Sequence, residues 1–201
     1  GDVSFVDADD LLVSGITAAG TSSVGLASAG AGTITQSDAI VAGTLALGGA
    51  GSTFTLTDTD NAVAFLDADD ATLAALTFAE TDGYRITGID TGAGTTTLTT
   101  NGGTVDQTGP VSAGSLIVEG TAATAYLLDL VDNDVVSLDA DNTVLAALDY
   151  VDADDVSVTG ATTSGDLSIT AGDAGAPADI AVTAADVRFE TTGGGDIRLL
   201  A

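Results

Sequence analysis

Apolar and polar residues alternate along much of this chain. Val3/Phe5, Phe54/Leu56, Tyr84/Ile86, Leu116/Val118, Leu167/Ile169, Ile180/Val182, Val187/Phe189 and Ile197/Leu199 each place apolar side chains two positions apart. A period of two turns one face of an extended strand to a core and the other to solvent. Gly- and Asp-containing stretches between the runs predict tight turns. Similar strands recur at roughly 20–24 residues, near Val105, Leu127, Leu148 and Leu167, which is about one coil of a β-solenoid. Two stretches, 71–79 and 143–148, contain the helix-friendly phrase Leu-Ala-Ala-Leu. Their shortness and flanking Asp residues predict strands or single helical turns.

A longer repeat overlies this cadence. Gly32-Thr33-Ile34-Thr35-Gln36 returns as Gly103-Thr104-Val105-Asp106-Gln107, and Ala42-Gly43-Thr44-Leu45 as Ala113-Gly114-Ser115-Leu116. After one inserted residue the spacing becomes 72: Asn61-Ala62-Val63 aligns with Asn133-Asp134-Val135, and Leu73-Ala74-Ala75-Leu76 with Leu145-Ala146-Ala147-Leu148. Stacked units that bury their apolar faces on one another explain such a repeat, taken as about three coils. The fold expected is all-β, a right-handed parallel β-helix forming one solenoid over 1–201. It divides into a partial repeat (1–31), two repeats (32–102 and 103–175) and further coils (176–201). Residues 194–199 read as one more uncapped strand, so the chain reads as a segment of a longer protein. Pro110 and Pro177 sit in turn-like contexts. The alternative is a pair of immunoglobulin-like β-sandwiches, which would call for a larger aromatic core.

The phrases Gly103–Val118, Asp166-Leu167-Ser168-Ile169-Thr170-Ala171-Gly172 and Gly195-Asp196-Ile197-Arg198-Leu199 resemble filamentous-haemagglutinin-type exoproteins. The resemblance covers nearly the whole chain. It implies a right-handed parallel β-helix serving as the shaft of a large bacterial surface adhesin, often exported by two-partner secretion with an outer-membrane partner. The family supplies no catalytic motif to carry over.

Composition narrows the chemistry. Hydrophobic content is 45% and aromatic content only 4%, which suits thin regular layers of Ala, Val, Leu and Ile. The net charge is −27, with 30 acidic residues against three arginines, Arg85, Arg188 and Arg198. Such a chain should repel nucleic acid and anionic lipid. Of the acids only Glu80, Glu119 and Glu190 are Glu; Asp favours turns, whereas Glu favours helices. Residues 11–37 carry no charge, but Gly and Ser interrupt them too often for a membrane helix.

Cys and His are absent, so disulfides, thiolate catalysis, Ser-His-Asp triads and ordinary zinc sites are excluded. Lys is absent too, which removes Schiff-base chemistry and phosphate-loop lysines. Paired carboxylates could in principle cleave glycosides, but no Trp is present to line a sugar cleft. Arg85 reads as a strand residue paired with an Asp. Calcium is the cofactor expected if any is bound, since it takes oxygen ligands from carboxylates and turn carbonyls. The Asp-x-Asp motifs at 7–10, 67–70, 139–142 and 152–155 do not complete a calcium loop. Asp60 and Asp82, and their equivalents Asp132 and Asp154, lie 22 residues apart. They are the metal-site candidates if one coil separates each pair. The run Thr95-Thr96-Thr97-Leu98-Thr99-Thr100 occurs once; it reads as a Thr-rich strand, because an ice-binding face needs Thr-x-Thr on every coil.

The expected role is a non-catalytic structural shaft of a secreted or surface-anchored bacterial protein, extracellular, with copies stacking end to end into filaments. The alternative is a calcium-stabilised module recognising a glycan or host receptor. Tyr84, Tyr126 and Tyr150 would discriminate them; the strand positions of Tyr84 and Tyr150 predict burial.

Overall fold

The computed structural model describes residues 1–172, 179–182 and 188–201. Val187 and Pro177, and the boundary expected at 175/176, lie outside the described residues. Along the chain run β1 (Val3–Asp7), β2 (Leu11–Thr17), β3 (Ser23–Ser28), β4 (Thr33–Gly48), β5 (Thr53–Leu56), β6 (Ala62–Ala68) and β7 (Ala75–Glu80). Next come β8 (Arg85–Asp90), β9 (Thr95–Thr100), β10 (Gly103–Gln107), β11 (Val111–Glu119), β12 (Thr124–Leu128) and β13 (Asp134–Leu145). The last six are β14 (Ala147–Asp152), β15 (Val156–Thr163), β16 (Leu167–Ala171), β17 (Ile180–Val182), β18 (Phe189–Thr191) and β19 (Ile197–Leu200). Both Leu-Ala-Ala-Leu phrases feed strands, in β7 and across β13–β14, and no helix occurs among the described residues.

Every strand pairs in parallel with a strand one coil away. Val3 faces Val24, Val24 faces Leu45, Leu45 faces Leu66, and Leu66 faces Ile86. The molecule is an all-β parallel solenoid of about eight turns, with about 21 residues per turn. The parallel ladder excludes the antiparallel sandwich alternative. The final coil is wider, since Leu167 pairs with Ile197.

Alternation does the packing. Ile34, Phe54, Leu76, Thr96, Leu116, Leu138 and Val158 form one internal column in register. Each is fully buried. Stacking equivalent side chains at the ~4.8 Å interstrand spacing buries apolar area without large rings, which is how 4% aromatic content suffices. The polar member of the column, Thr96, satisfies its hydroxyl against Thr91 at 3.0 Å. Coils also meet where side chains would obstruct them. A Cβ on Gly83 would lie 2.1 Å from the Thr104 carbonyl oxygen, and one on Gly103 2.5 Å from the Gly83 nitrogen, at a φ of +76°.

The 72-residue repeat does not span three coils. At about 21 residues per turn it covers about three and a half. Equivalent residues therefore enter different columns: Leu66 stacks on Leu45 and Ile86, whereas its equivalent Leu138 stacks on Leu116 and Val158. The two repeats share local structure and present it on different sides of the rod.

Candidate functional site: buried amide and carboxylate corners

Two polar clusters interrupt the apolar interior, one per repeat, built from equivalent residues. In the first, Asn61 is fully buried after the turn that precedes β6. Its Oδ1 accepts the Ile40 N–H (2.7 Å) and Gln36 Nε2 (2.9 Å). Its Nδ2 donates to Gln36 Oε1 (3.0 Å) and to the Ala79 carbonyl (2.9 Å). The second cluster repeats this with Asn133: Oδ1 accepts the Val111 N–H (2.9 Å) and Gln107 Nε2 (2.8 Å). Its Nδ2 donates to Gln107 Oε1 (3.1 Å) and the Val151 carbonyl (2.9 Å). Each Asn thus ties its own coil to the coils on either side. A primary amide suits this position, since it alone offers two donors and a two-lone-pair acceptor in one plane.

Beside each Asn lies a buried acid. Glu80 Oε1 accepts the Val63 N–H (3.2 Å) and Oε2 the Asp82 N–H (2.8 Å). Its equivalent Asp152 accepts the Val135 N–H (3.1 Å), the Asp154 N–H (3.2 Å) and the Tyr150 hydroxyl. Burial pushes the Glu80 carboxyl up to about 7, the two N–H donors acting against it. Burial also pushes Asp152 up to about 6, opposed by the Tyr150 hydroxyl and the same pair of backbone donors. Phe78 occupies the place of Tyr150 in the first cluster. Its ring takes Tyr84 edge-on, with centroids 5.3 Å apart.

Glu80 belongs to no motif in the sequence, and Asp152 stands there only as the first carboxylate of the Asp-x-Asp motif at 152–155. The signal that could have found them is the repeat itself: Glu80 aligns with Asp152 at 72 residues, beside the aligned Asn61 and Asn133.

The metal candidates fall in the adjoining turns. Asp60, Asp82, Asp132 and Asp154 are all exposed. The turns carrying them do stack: Thr81 N–H donates to the Asn61 carbonyl (3.2 Å), and Ala153 N–H to the Asn133 carbonyl (2.6 Å). Among the described residues, no group of three or more acidic side chains is placed to hold a metal ion. Asp-x-Asp instead closes turns. The first carboxylate accepts the N–H two residues on, as Asp7 does for Asp9, Asp58 for Asp60, and Asp152 for Asp154; Asp139 does the same for Asp141 within β13. This local use accounts for the preference for Asp over Glu. In the motifs at 67–70 and 139–142, burial followed by the neighbouring carboxyl raises the pKa of Asp67 (beside Asp69) and of Asp141 (beside Asp139).

Arg85 pairs with Asp106 on the next coil, Nε to Oδ1 at 2.8 Å, in an exposed position. It is a strand residue with an acidic partner, as its sequence suggested. Tyr84, Tyr126 and Tyr150 are all buried, so none offers a ring for stacking a sugar. No protein family, curated protein or solved structure matches this chain.

Proposed function

We propose that this chain is a non-catalytic structural shaft of a secreted or surface-anchored bacterial exoprotein of the filamentous-haemagglutinin kind, working outside the cell. The observation that carries the reading is the continuous chain of parallel pairings from β1 to β16, in which each coil is the template for the next. The buried amides Asn61 and Asn133 tie neighbouring coils together within a rod about 40 Å long at ~4.8 Å per coil. A net charge of −27 keeps such rods apart laterally. The end strands leave the core-column residues Phe5, Ile197 and Leu199 exposed, in line with the buried Leu26, Leu167 and Ile169, which supports end-to-end contact with further coils.

Electron microscopy together with a glycan array tests this. The reading expects short rods, joining end to end as concentration rises, and no retained glycan. Tight binding of a defined glycan by a dispersed monomer would favour the receptor-binding alternative.

A further inference from the structure

The outward face of the β4–β5–β7–β9 ladder carries an array that the sequence concealed. The register places Thr33 against Thr53, Thr53 against Ala75, and Ala75 against Thr95. Two residues along, Thr35 faces Thr55, Thr55 faces Thr77, and Thr77 faces Thr97. Thr-x-Thr therefore recurs on three of four consecutive coils, the remaining one offering Ala75 and Thr77, so the array is a patch on half of the rod rather than a feature of every coil. The expectation of a single Thr-rich strand is corrected. The coil offsets vary between 20 and 22 residues, which hid the alignment from any fixed-period reading.

Two further observations set this face apart. Among the described residues, none of the seven threonine hydroxyls bonds another group of the protein. Thr81, Thr87, Thr124 and Thr163, elsewhere in the chain, each donate to a backbone carbonyl. The eight positions also carry no charge, in a chain with 30 acidic residues. Acids border the patch: Asp10 on the preceding coil accepts the Thr33 N–H, and Glu119 on the following one accepts the hydroxyl of Thr99, two residues beyond Thr97.

We propose that this face binds the surface of ice. Strand geometry spaces the hydroxyls at ~4.8 Å between coils and ~6.7 Å along each strand. The spacing between coils is close to the shorter oxygen repeat of hexagonal ice. The γ-methyl groups between the hydroxyls present no charge to disorder the lattice water, and the β-branched side chains are stiff about χ1, so little rotamer entropy is lost on contact. An uncharged, periodic, unbonded hydroxyl plane is complementary to a neutral periodic lattice. It is a poor match for a nucleic acid or a protein partner, which would call for charge or apolar anchors. This activity goes beyond the shaft role, and its failure leaves that role standing.

The test is freezing hysteresis and ice-recrystallisation inhibition with the full chain at micromolar concentration. The expected result is faceted crystals and a hysteresis gap, both lost in a Thr55→Lys/Thr77→Lys variant and retained in Thr170→Lys, an outward threonine on another strand. Circular dichroism should show all three proteins folded. If the double variant fails to fold, Thr35→Lys/Thr97→Lys reads the same face. Absence of any ice activity in the unsubstituted chain overturns the proposal, as does activity that survives the Lys pairs. Retention on insoluble chitin or cellulose at room temperature, without ice activity, also overturns it and reassigns the face to a polysaccharide.

Discussion

Gln107 and Asn133, 26 residues apart, lock amide to amide inside the solenoid, Nε2 to Oδ1 at 2.8 Å and Nδ2 to Oε1 at 3.1 Å. The same closure joins Gln36 to Asn61 one repeat earlier. Truncating the Asn strands several buried partners at once, among them the Val111 N–H and the Val151 carbonyl. Each group left unpaired costs about 1–3 kcal/mol. Asn133→Ala should therefore destabilise the fold by about 4 kcal/mol, read by urea denaturation. Asn133→Asp should do comparable damage above neutral pH, since it replaces two donors by a charge.

The two buried acids make stability depend on pH in a definite direction. Glu80 rises from an ordinary 4.5 to about 7 on folding, and Asp152 from 3.8 to about 6. A raised carboxyl favours its protonated form in the folded state. The folded state then binds more protons than the unfolded one between the two values, so stability is full below the lower value and falls as pH rises through the upper. Each acid is worth on the order of 3 kcal/mol across its window. The melting temperature should fall from pH 5 to pH 8. Glu80→Gln should flatten the upper part of that slope and Asp152→Asn the lower part. A slope unchanged in both variants would place its origin in the overall charge.

Tyr84 and Tyr126 should respond oppositely to loss of a hydroxyl. The Tyr84 hydroxyl is buried without a hydrogen-bond partner, so Tyr84→Phe should be neutral or stabilise by up to about 1 kcal/mol. The Tyr126 hydroxyl donates to one of two carbonyls it touches, Leu98 (2.9 Å) and Glu119 (2.8 Å). Tyr126→Phe should cost about 1–2 kcal/mol. Thermal melts of the two variants decide this.

Added cations should raise the melting temperature by screening. With no cluster of three acidic groups among the described residues, calcium and magnesium should act alike at equal ionic strength. A rise specific to calcium, lost in Asp60→Asn/Asp82→Asn, would instead assign a bound ion to the stacked turns.

Alternation of apolar residues determined the strands, their inward sides and the solenoid class, because side-chain direction in a strand has a period of two whatever lies next to it. Composition fixed the absence of thiol, imidazole and amine chemistry. The repeat also marked Asn61 and Asn133 as equivalent. Only the tertiary structure decided which residues face one another across coils, because that depends on summed turn lengths. Offsets of 20 and 22 residues bring Thr35, Thr55, Thr77 and Thr97 into one row, and a turn of about 21 residues carries Leu66 and Leu138 into different columns. The burial of Glu80 and Asp152 was equally out of reach. An acid beside a turn reads as solvated until the neighbouring coil closes over it and adds a backbone N–H, from Val63 or Val135, to the one its own turn supplies.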